Sequence, residues 1–194
     1  MSHGESHEYA HYADLAGALA QLAHLHQDAV VPNADIATHA DPVGRARTNY
    51  VVRVNLTEHG MPGKFEQMWT KTDDKRLFEL CCIPFFTYGQ SLGDVLEIDT
   101  ADGTHKVHAK GGHRTIRIAF LDDQAAHAQH VAIHRVLIDD LGCRVEFRAG
   151  NHYAAVDLPP GTDPPAVLAI LDPLAESGAL MWEWADPPDP QTGG

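Results

Sequence analysis

Histidine is the residue type that most invites a chemical role, because 14 of the 194 residues are histidine. Three of these, His127, His130 and His134, recur at i, i+3 and i+7 and would share one face of a predicted helix. Two imidazoles one turn apart can chelate Zn²⁺ or Ni²⁺, but a catalytic zinc site needs three protein ligands that converge on one point. Neither an H-E-x-x-H nor a C-x-x-C motif includes these three histidines. We therefore predict packing of neutral imidazoles, with no metal centre and no cofactor.

Ser91, Asp94 and His113 are the residues from which a Ser-His-Asp relay would have to be built. Such a relay is recognised by its geometry, and the G-x-S-x-G of residues 89–93 opens a predicted strand instead of the helix that follows a nucleophile elbow. The run S-L-G-D instead favours hydrogen bonds from Ser91 and Asp94 to the backbone of a turn. Cys81 and Cys82 lie in the apolar run LFELCCIPFF and are interpreted as buried hydrophobes that are poorly placed to bridge each other.

An aromatic turn from Pro84 to Gly89 offers a different chemistry, since aromatic side chains on a loop suit contact with a partner. Tyr88 is its better ligand-facing member because a hydroxyl group tolerates water. Phe86 would line the same lip. The alternative is that Phe85 or Phe86 plugs the bottom of a small barrel.

Cationic side chains follow the glycine pair that marks a predicted boundary between two modules. Grooves between modules are preferred ligand sites, and an anion is the natural guest for such side chains. The alternative is a structural ion pair across the junction from Arg117 to one of three carboxylates: Glu97, Asp99 or Glu146. The predicted ligand-binding set is Phe86, Tyr88, His113, Arg114 and Arg117.

The first of the two modules would be β-rich. Residues 49–112 contain five short β-like runs separated by turn residues, which is typical of a small β-barrel or a curled sheet. Asp102-Gly103 predicts a hairpin between the last two runs, because glycine permits the positive φ of a tight turn. Residues 1–48 form a histidine-bearing leader, with a short amphipathic helix over residues 13–28 and a linker after it. We expect this leader to be separable from the fold.

The second module, residues 113–185, has the order strand, helix, strand, strand, helix, strand of ferredoxin-like folds. Its first helix is predicted over residues 124–141 and ends before Gly142. Its second helix begins after Asp163 and is expected to kink or split at Pro173. Residues 186–194 are predicted to be disordered. The predicted fold class is α+β: a small β-barrel-like module followed by a ferredoxin-like β-α-β-β-α-β module, with an N-terminal helix.

The charge balance limits the classes of partner. Fourteen Lys and Arg against 27 Asp and Glu give a net charge of −13, which opposes binding to nucleic acid phosphates and fits a basic protein partner better. No run approaches the roughly 20 apolar residues of a membrane span, and the first residues lack the basic-then-apolar order of a signal peptide. We therefore expect a soluble cytoplasmic protein that binds neither nucleic acid nor membrane.

The stretch CIPFFTYGQSLGDVLEI, followed by GGHRTIRI and then by LGCRVEF, resembles an uncharacterised bacterial family, the domain of unknown function 4265 family. The similarity extends from about Asn49 to Trp184. It depends on Ile83-Pro84-Phe85-Phe86, Tyr88-Gly89, Ser91-Leu92-Gly93-Asp94 and Gly112-His113 with Thr115 and Arg117. This chain has Cys82 where members of the family usually carry Asn. The resemblance implies a bacterial cytoplasmic protein and implies no activity.

The expected function is that of a non-enzymatic binding module, immunity-like or regulatory, which holds a protein partner with its acidic surface and aromatic turn. The first alternative is a sensor or binding protein for a small anionic molecule, with a pocket between the two modules. The second alternative is an enzyme that acts through His113 or through a metal bound by the helix histidines.

Overall fold

The computed structural model describes residues 36–121, 136–148 and 152–185. The first sheet contains β1 (Ile36–Ala37), β2 (Tyr50–Asn55), β3 (Phe65–Lys71), β4 (Leu77–Leu80), β5 (Val95–Ile98) and β6 (His105–Ala109). The second sheet contains β7 (Arg114–Phe120), β8 (Arg144–Phe147), β9 (Tyr153–Leu158) and β10 (Leu180–Trp184). One α-helix, α1 (Pro164–Glu176), one π-helical turn (Val136–Asp140) and two 3₁₀ turns (Arg45–Arg47 and Thr57–His59) complete these ranges. The fold is therefore α+β, with most of its regular structure in strands.

Several predicted features lie outside the described residues. These are the leader helix over residues 13–28, the histidine stripe of His127, His130 and His134, and the tail of residues 186–194. No helix of the described residues is long and apolar enough to cross a membrane.

The first sheet is formed by neighbouring antiparallel strands in the order β2-β3-β4-β5-β6, and β1 joins β3 in parallel. Gly103 makes the predicted turn between β5 and β6 with φ of 77°, and its carbonyl accepts the Asn55 N–H at 2.9 Å. A Cβ on Gly103 would lie 2.7 Å from the Arg53 carbonyl oxygen, so only glycine permits this approach. Within the described residues no ladder joins β6 to β2. Of the two predicted forms, a small barrel and a curled sheet, the closed barrel is therefore wrong, because the β5–β6 turn, and not β6 itself, meets β2.

Residues 36–48, which the sequence pattern assigns to a linker, pack into the fold. Ile36 lies opposite Phe65 in the β1–β3 pairing, and the Gly44 N–H donates to the Cys81 carbonyl at 2.8 Å. His39 is only 3% exposed. The linker prediction misses these contacts because the segment has no hydrophobic period, and its partners lie far along the chain.

The second sheet has the strand order β10-β7-β9-β8 and is antiparallel throughout. The β8 and β9 strands pair as the sequence predicted, and α1 packs Val167 and Leu171 onto one face of the sheet. α1 runs unbroken through Pro173, so the predicted split of this helix is wrong, whereas the predicted kink stays a prediction. Most of the other predicted helix, residues 124–141, lies outside the described residues.

Both faces of β7 are buried, and this arrangement creates the junction between the sheets. Ile116, Ile118 and Phe120 belong to the core beneath α1. Thr115, Arg117 and Ala119 point the other way, because successive strand residues alternate faces. Arg117 is only 1% exposed. Arg117, a polar side chain of the second sheet, therefore faces the first module, where it contacts Thr87 and Tyr88.

Candidate functional site

The loop of residues 83–89, here named the junction loop, wraps around a buried carboxylate. Glu66 on β3 is fully buried and accepts the Phe85 N–H at 2.5 Å through Oε1. Its Oε2 accepts the N–H groups of Phe86 at 3.1 Å and Thr87 at 3.3 Å. Successive backbone N–H groups that converge in this way form a concave anion site. In this chain the anion is the protein's own glutamate.

His39 connects Glu66 to the second sheet. Its Nε2 lies 3.1 Å from Glu66 Oε1, and its Nδ1 lies 2.5 Å from Glu146 Oε2 on β8. Two carboxylate acceptors require both ring nitrogens to donate, so the ring is an imidazolium. Burial opposes this charge, but the neighbouring Cys82 and the two glutamates outweigh it and raise the pKa of His39 well above its usual range. The imidazole also stacks on the Phe85 ring, with a centroid separation of 4.3 Å.

Glu146 fastens two further segments to the same ion cluster. Its Oε1 accepts the Val43 N–H at 3.0 Å and the Ile83 N–H at 2.9 Å.

Burial raises the pKa of the Cys82 thiol, against the opposing effect of the imidazolium of His39. The pKa of Glu66 moves in the other direction: burial would raise it, but the hydrogen bond and charge of His39 lower it below its usual value. The cluster is therefore a charged core that joins the leader, both sheets and the junction loop.

A second polar group joins the junction loop to β7 and β10. Arg117 donates to the Thr87 carbonyl and lies 3.4 Å from Glu183 Oε1. The Tyr88 hydroxyl lies 3.0 Å from each carboxylate oxygen of Glu183, and the Tyr88 ring lies 4.4 Å from the Arg117 guanidinium carbon. Burial, and then the charge of Glu183, raises the pKa of Tyr88 to about 12. Tyr88 is therefore a neutral hydrogen-bond donor at physiological pH.

Three buried polar atoms at this junction have no hydrogen-bond partner in the described structure: Thr87 Oγ1, Gln90 Oε1 and Arg117 Nε. Buried polar groups are normally hydrogen-bonded, so such atoms mark places where a water or a small polar molecule would be stabilised. Nearby, the half-buried rings of His59 and His105 stack with a centroid separation of 5.6 Å.

A family model described as domain of unknown function (DUF4265) matches residues 66–182, which is more than half of the chain. The chain belongs to this family. The crystal structure of a hypothetical protein from Neisseria gonorrhoeae is similar in fold, with a TM-score of 0.52 and 20% sequence identity. The similarity covers 70% of this chain and 92% of that one. No curated protein matches the chain. The matched range includes Glu66 and Glu146, whereas His39 precedes it.

The DUF4265 protein brings together some of the residues that the sequence predicted as a site. Tyr88 and Arg117 are in contact, and Phe86 is half-buried against Tyr153, with a centroid separation of 5.4 Å. Phe85 is fully buried. Arg114 lies on the α1 side of β7, where its guanidinium covers the Trp184 ring at 3.7 Å, so it does not join Arg117.

The remaining predicted residue, His113, is held by a partner that the sequence did not suggest. Its Nδ1 lies 2.8 Å from Asp157 Oδ1 on β9. Asp94 instead accepts the Ser91 N–H at 2.9 Å and the Gly111 N–H at 2.7 Å, so it stabilises turns as the favoured interpretation required. In the described structure the carboxylate partner of His113 is therefore Asp157, and not the Asp94 of a Ser91-His113-Asp94 relay.

Arg117 does form a buried structural ion pair, as the alternative interpretation held, but with a different carboxylate. Its carboxylate partner is Glu183, which lies directly opposite it in the β7–β10 pairing, and not Glu97, Asp99 or Glu146. The register of this pairing fixes the partner, and the sequence alone does not give that register.

Sequence reasoning missed the charged core of His39, Glu66 and Glu146. One signal for Glu66 was present: it shares the inward face of β3 with Met68 and Thr70, which the alternation of FEQMWT displays. A carboxylate on an inward face needs buried partners. No comparable signal marks His39, because its segment lacks a period.

Proposed function

We propose that this DUF4265 protein is a non-enzymatic binding module that holds a protein partner in an immunity-like or regulatory role. The polar groups of the junction support this proposal, because they bond one another and the backbone. Glu66, Glu146 and Glu183 each accept hydrogen bonds from the junction loop or its neighbours. These buried carboxylates stabilise the fold and do not face a partner. Recognition of a partner is therefore assigned to the outer surface.

The charge distribution changes the class of partner that fits. The described residues contain 13 Lys and Arg and 18 Asp and Glu. Five of these carboxylates are buried, whereas Arg117 is the one buried side chain among the Lys and Arg of the described residues. The described surface is therefore almost balanced, and most of the acidic excess belongs to residues outside it. A basic partner is no longer favoured for this surface.

The observation that carries the proposal is a group of cations and aromatic rings on the outward face of β2 and β3. Val51 is 40% exposed, and Arg53, on the same face, lies 5.3 Å from the Phe65 ring. Arg45 lies 4.9 Å from the Trp69 ring, which is opposite Val51. Arg and aromatic residues are enriched at the energetic centres of protein interfaces. We name these five residues the outer hairpin face and assign to it a partner that presents carboxylates.

Affinity capture followed by reconstitution tests this assignment. The paired substitution Val51→Asp and Arg53→Glu reverses the charge of the outer hairpin face without touching the core. Arg76→Glu is the control for the charge reversal at Arg53, because it makes that same substitution at an exposed residue away from that face. The partner recovered with the wild-type protein is purified, and its affinity for the three proteins is measured by calorimetry.

We expect the paired variant to bind at least about tenfold more weakly, and the control to bind as the wild type does. If the partner bound the paired variant as tightly as the wild-type protein, the assignment of the outer hairpin face as the binding surface would be wrong. The protein-binding proposal itself would be contradicted if no purified candidate binds the wild-type protein.

A small-ligand function is the alternative that one observation favours. The unpartnered Thr87 Oγ1, Gln90 Oε1 and Arg117 Nε would gain hydrogen bonds from a small polar molecule at the junction. A depression of about 650 Å³ lies elsewhere, along the β5–β6 hairpin, and is lined by residues that include Glu97, Asp99 and Lys106. A metabolite that raises the melting temperature of the wild-type protein but not of Arg117→Met would favour this alternative, since a bound ligand stabilises by mass action.

We also propose a finer description of the second module and a location for the protein. We propose the ferredoxin-like arrangement for residues 113–185, which the antiparallel order β10-β7-β9-β8 and the packing of α1 support. Backbone chemical shifts that lack helical values over residues 124–141 would contradict it. A cytoplasmic location is also proposed, because the three buried cysteines are free thiols, which suit a reducing compartment.

A further inference from the structure

A continuous chain of hydrogen bonds crosses two half-buried histidines. The Tyr88 N–H donates to His59 Nδ1 at 3.1 Å. His59 Nε2 and His105 Nε2 are 3.5 Å apart, and His105 Nδ1 lies 3.1 Å from the Gly103 carbonyl oxygen. The chain thus connects the junction loop, the 3₁₀ turn at Thr57–His59 and the turn between β5 and β6.

The two ends of this chain determine where each proton lies. A backbone N–H can only donate, so His59 Nδ1 is an acceptor, and a neutral His59 carries its proton on Nε2. A carbonyl can only accept, so His105 Nδ1 is protonated and its Nε2 lone pair faces His59. The bond between the rings therefore runs from His59 Nε2–H to His105 Nε2. All bonds of the chain are made only when both rings are neutral.

One additional proton breaks the chain wherever it binds. On His59 it occupies Nδ1 and opposes the Tyr88 N–H, whereas on His105 it occupies Nε2 and opposes the His59 Nε2–H. The groups around His59 are His105 on β6, Arg117 on β7, Glu66 on β3 and Glu58 within its own turn. Burial, His105 and Arg117 lower the pKa of His59, and the two glutamates oppose this shift only in part.

We propose that His59 and His105 form an acid-sensitive latch that fastens the junction loop to the first sheet. At neutral pH the latch is closed. Acidification opens it at the Tyr88 amide, because a proton on His59 Nδ1 takes the place of the lone pair that accepts the Tyr88 N–H. The Tyr88 side chain keeps its hydrogen bond to Glu183 and its contact with Arg117, both on the second sheet. Opening therefore releases Tyr88 from His59 while it stays bound to the second sheet.

Nuclear magnetic resonance on the whole protein tests the latch directly. Imidazole ¹⁵N shifts at pH 7.5 report the tautomers, and we expect His59 as the Nε2–H form and His105 as the Nδ1–H form. The hydrogen-exchange protection factor of the Tyr88 amide is then followed from pH 7.5 to pH 5. We expect it to fall about three- to tenfold, the effect of losing one hydrogen bond.

Two variants separate the latch from a general effect of acid. In His59→Asn the side-chain carbonyl can accept the Tyr88 N–H but does not titrate, so protection should become independent of pH. His108→Asn removes an exposed histidine of β6 and should leave the wild-type pH dependence intact. The latch is refuted if His59 is the Nδ1–H tautomer, or if Tyr88 protection in the wild-type protein is constant over this pH range. Both refuting measurements use the wild-type protein, so they remain decisive if a variant does not fold.

Discussion

His39 and His59 present the same side chain in two opposite electrostatic states. His39 is buried between the carboxylates of Glu66 and Glu146, so both of its nitrogens donate and the ring is charged. His59 is half-buried between a backbone N–H and the lone pair of His105, so its ring is neutral. Solvent exposure alone would predict the reverse, because burial disfavours charge. The polarity of the neighbouring groups therefore decides the charge of each imidazole.

The two sites also differ in what they support. The charged site connects strands β3 and β8 to the junction loop through four backbone N–H groups that donate to Glu66 and Glu146. The neutral site adds one bond to a loop that is already held at several other points. Loss of the first should affect the whole fold, whereas loss of the second should affect one loop.

The largest predicted effect comes from Glu66→Ala. This change leaves the imidazolium of His39 with one carboxylate and removes the acceptor of three backbone N–H groups in the junction loop. Removal of one partner from a buried ion pair costs about 3–5 kcal/mol, so we expect a loss of that order in the free energy of unfolding. Chemical denaturation measures it. A loss below 1 kcal/mol would show that the charged core is dispensable.

Glu66→Gln provides the companion measurement where the alanine variant fails to fold. The amide retains one acceptor oxygen and nearly the same volume but removes the negative charge. Its cost should lie between those of the wild type and the alanine variant. It should also reduce the pKa of His39, which the imidazole proton resonances report.

The contrast also shows which parts of this structure could be predicted from sequence. The turn at Gly103, the strand of Trp182 and Trp184, and the start of α1 were predictable because neighbouring residues determine them. The charged core was not, since His39 lies 27 residues from Glu66 and 107 residues from Glu146. Contacts over such separations depend on how the sheets pair, and no local pattern reports that.

The predicted ligand-binding residues in and beside β7 also divide into those that local sequence determines and those that it does not. The contact between Tyr88 and Arg117 depends on the loop entering the junction, and its aromatic residues indicated that it had a packing role. The separation of Arg114 from Arg117 was available from the sequence, because an odd spacing in a strand places two residues on opposite faces. The partner of His113 was not available, since Asp157 belongs to a strand 44 residues away.

The second prediction uses pH, because the two histidines should respond with opposite sign. The raised pKa of His39 means that its contribution to stability is complete below about pH 6.5 and is lost as pH rises through the folded-state value. The lowered pKa of His59 means that its contribution is complete above about pH 6.5 and is lost as pH falls. Each group changes the free energy of unfolding by at most about 1.4 kcal/mol per pH unit.

Urea denaturation of the wild-type protein and of His59→Asn from pH 5 to pH 9 measures how the free energy of unfolding depends on pH. The fall in stability toward low pH is the acid limb, and the fall toward high pH is the alkaline limb. The variant should lose part of the acid limb and keep the alkaline limb. An unchanged acid limb would mean that other groups, such as Glu66, account for all of it.

The smallest predicted effect comes from Arg47→Ala, which removes a charge pair of good geometry from the surface. Arg47 Nη1 lies 2.8 Å from Glu79 Oε1, a distance close to those within the charged core. The two side chains are 51% and 33% exposed, so water replaces most of what the pair provides. Exposed pairs of this kind contribute about 0.2–1 kcal/mol, and 0.5 M salt should reduce even that, because the salt screens exposed charges. Chemical denaturation at low and high salt, beside Glu66→Ala, measures the difference. If Arg47→Ala cost as much as Glu66→Ala, then loss of a charge, and not burial with three unsatisfied N–H groups, would explain both results.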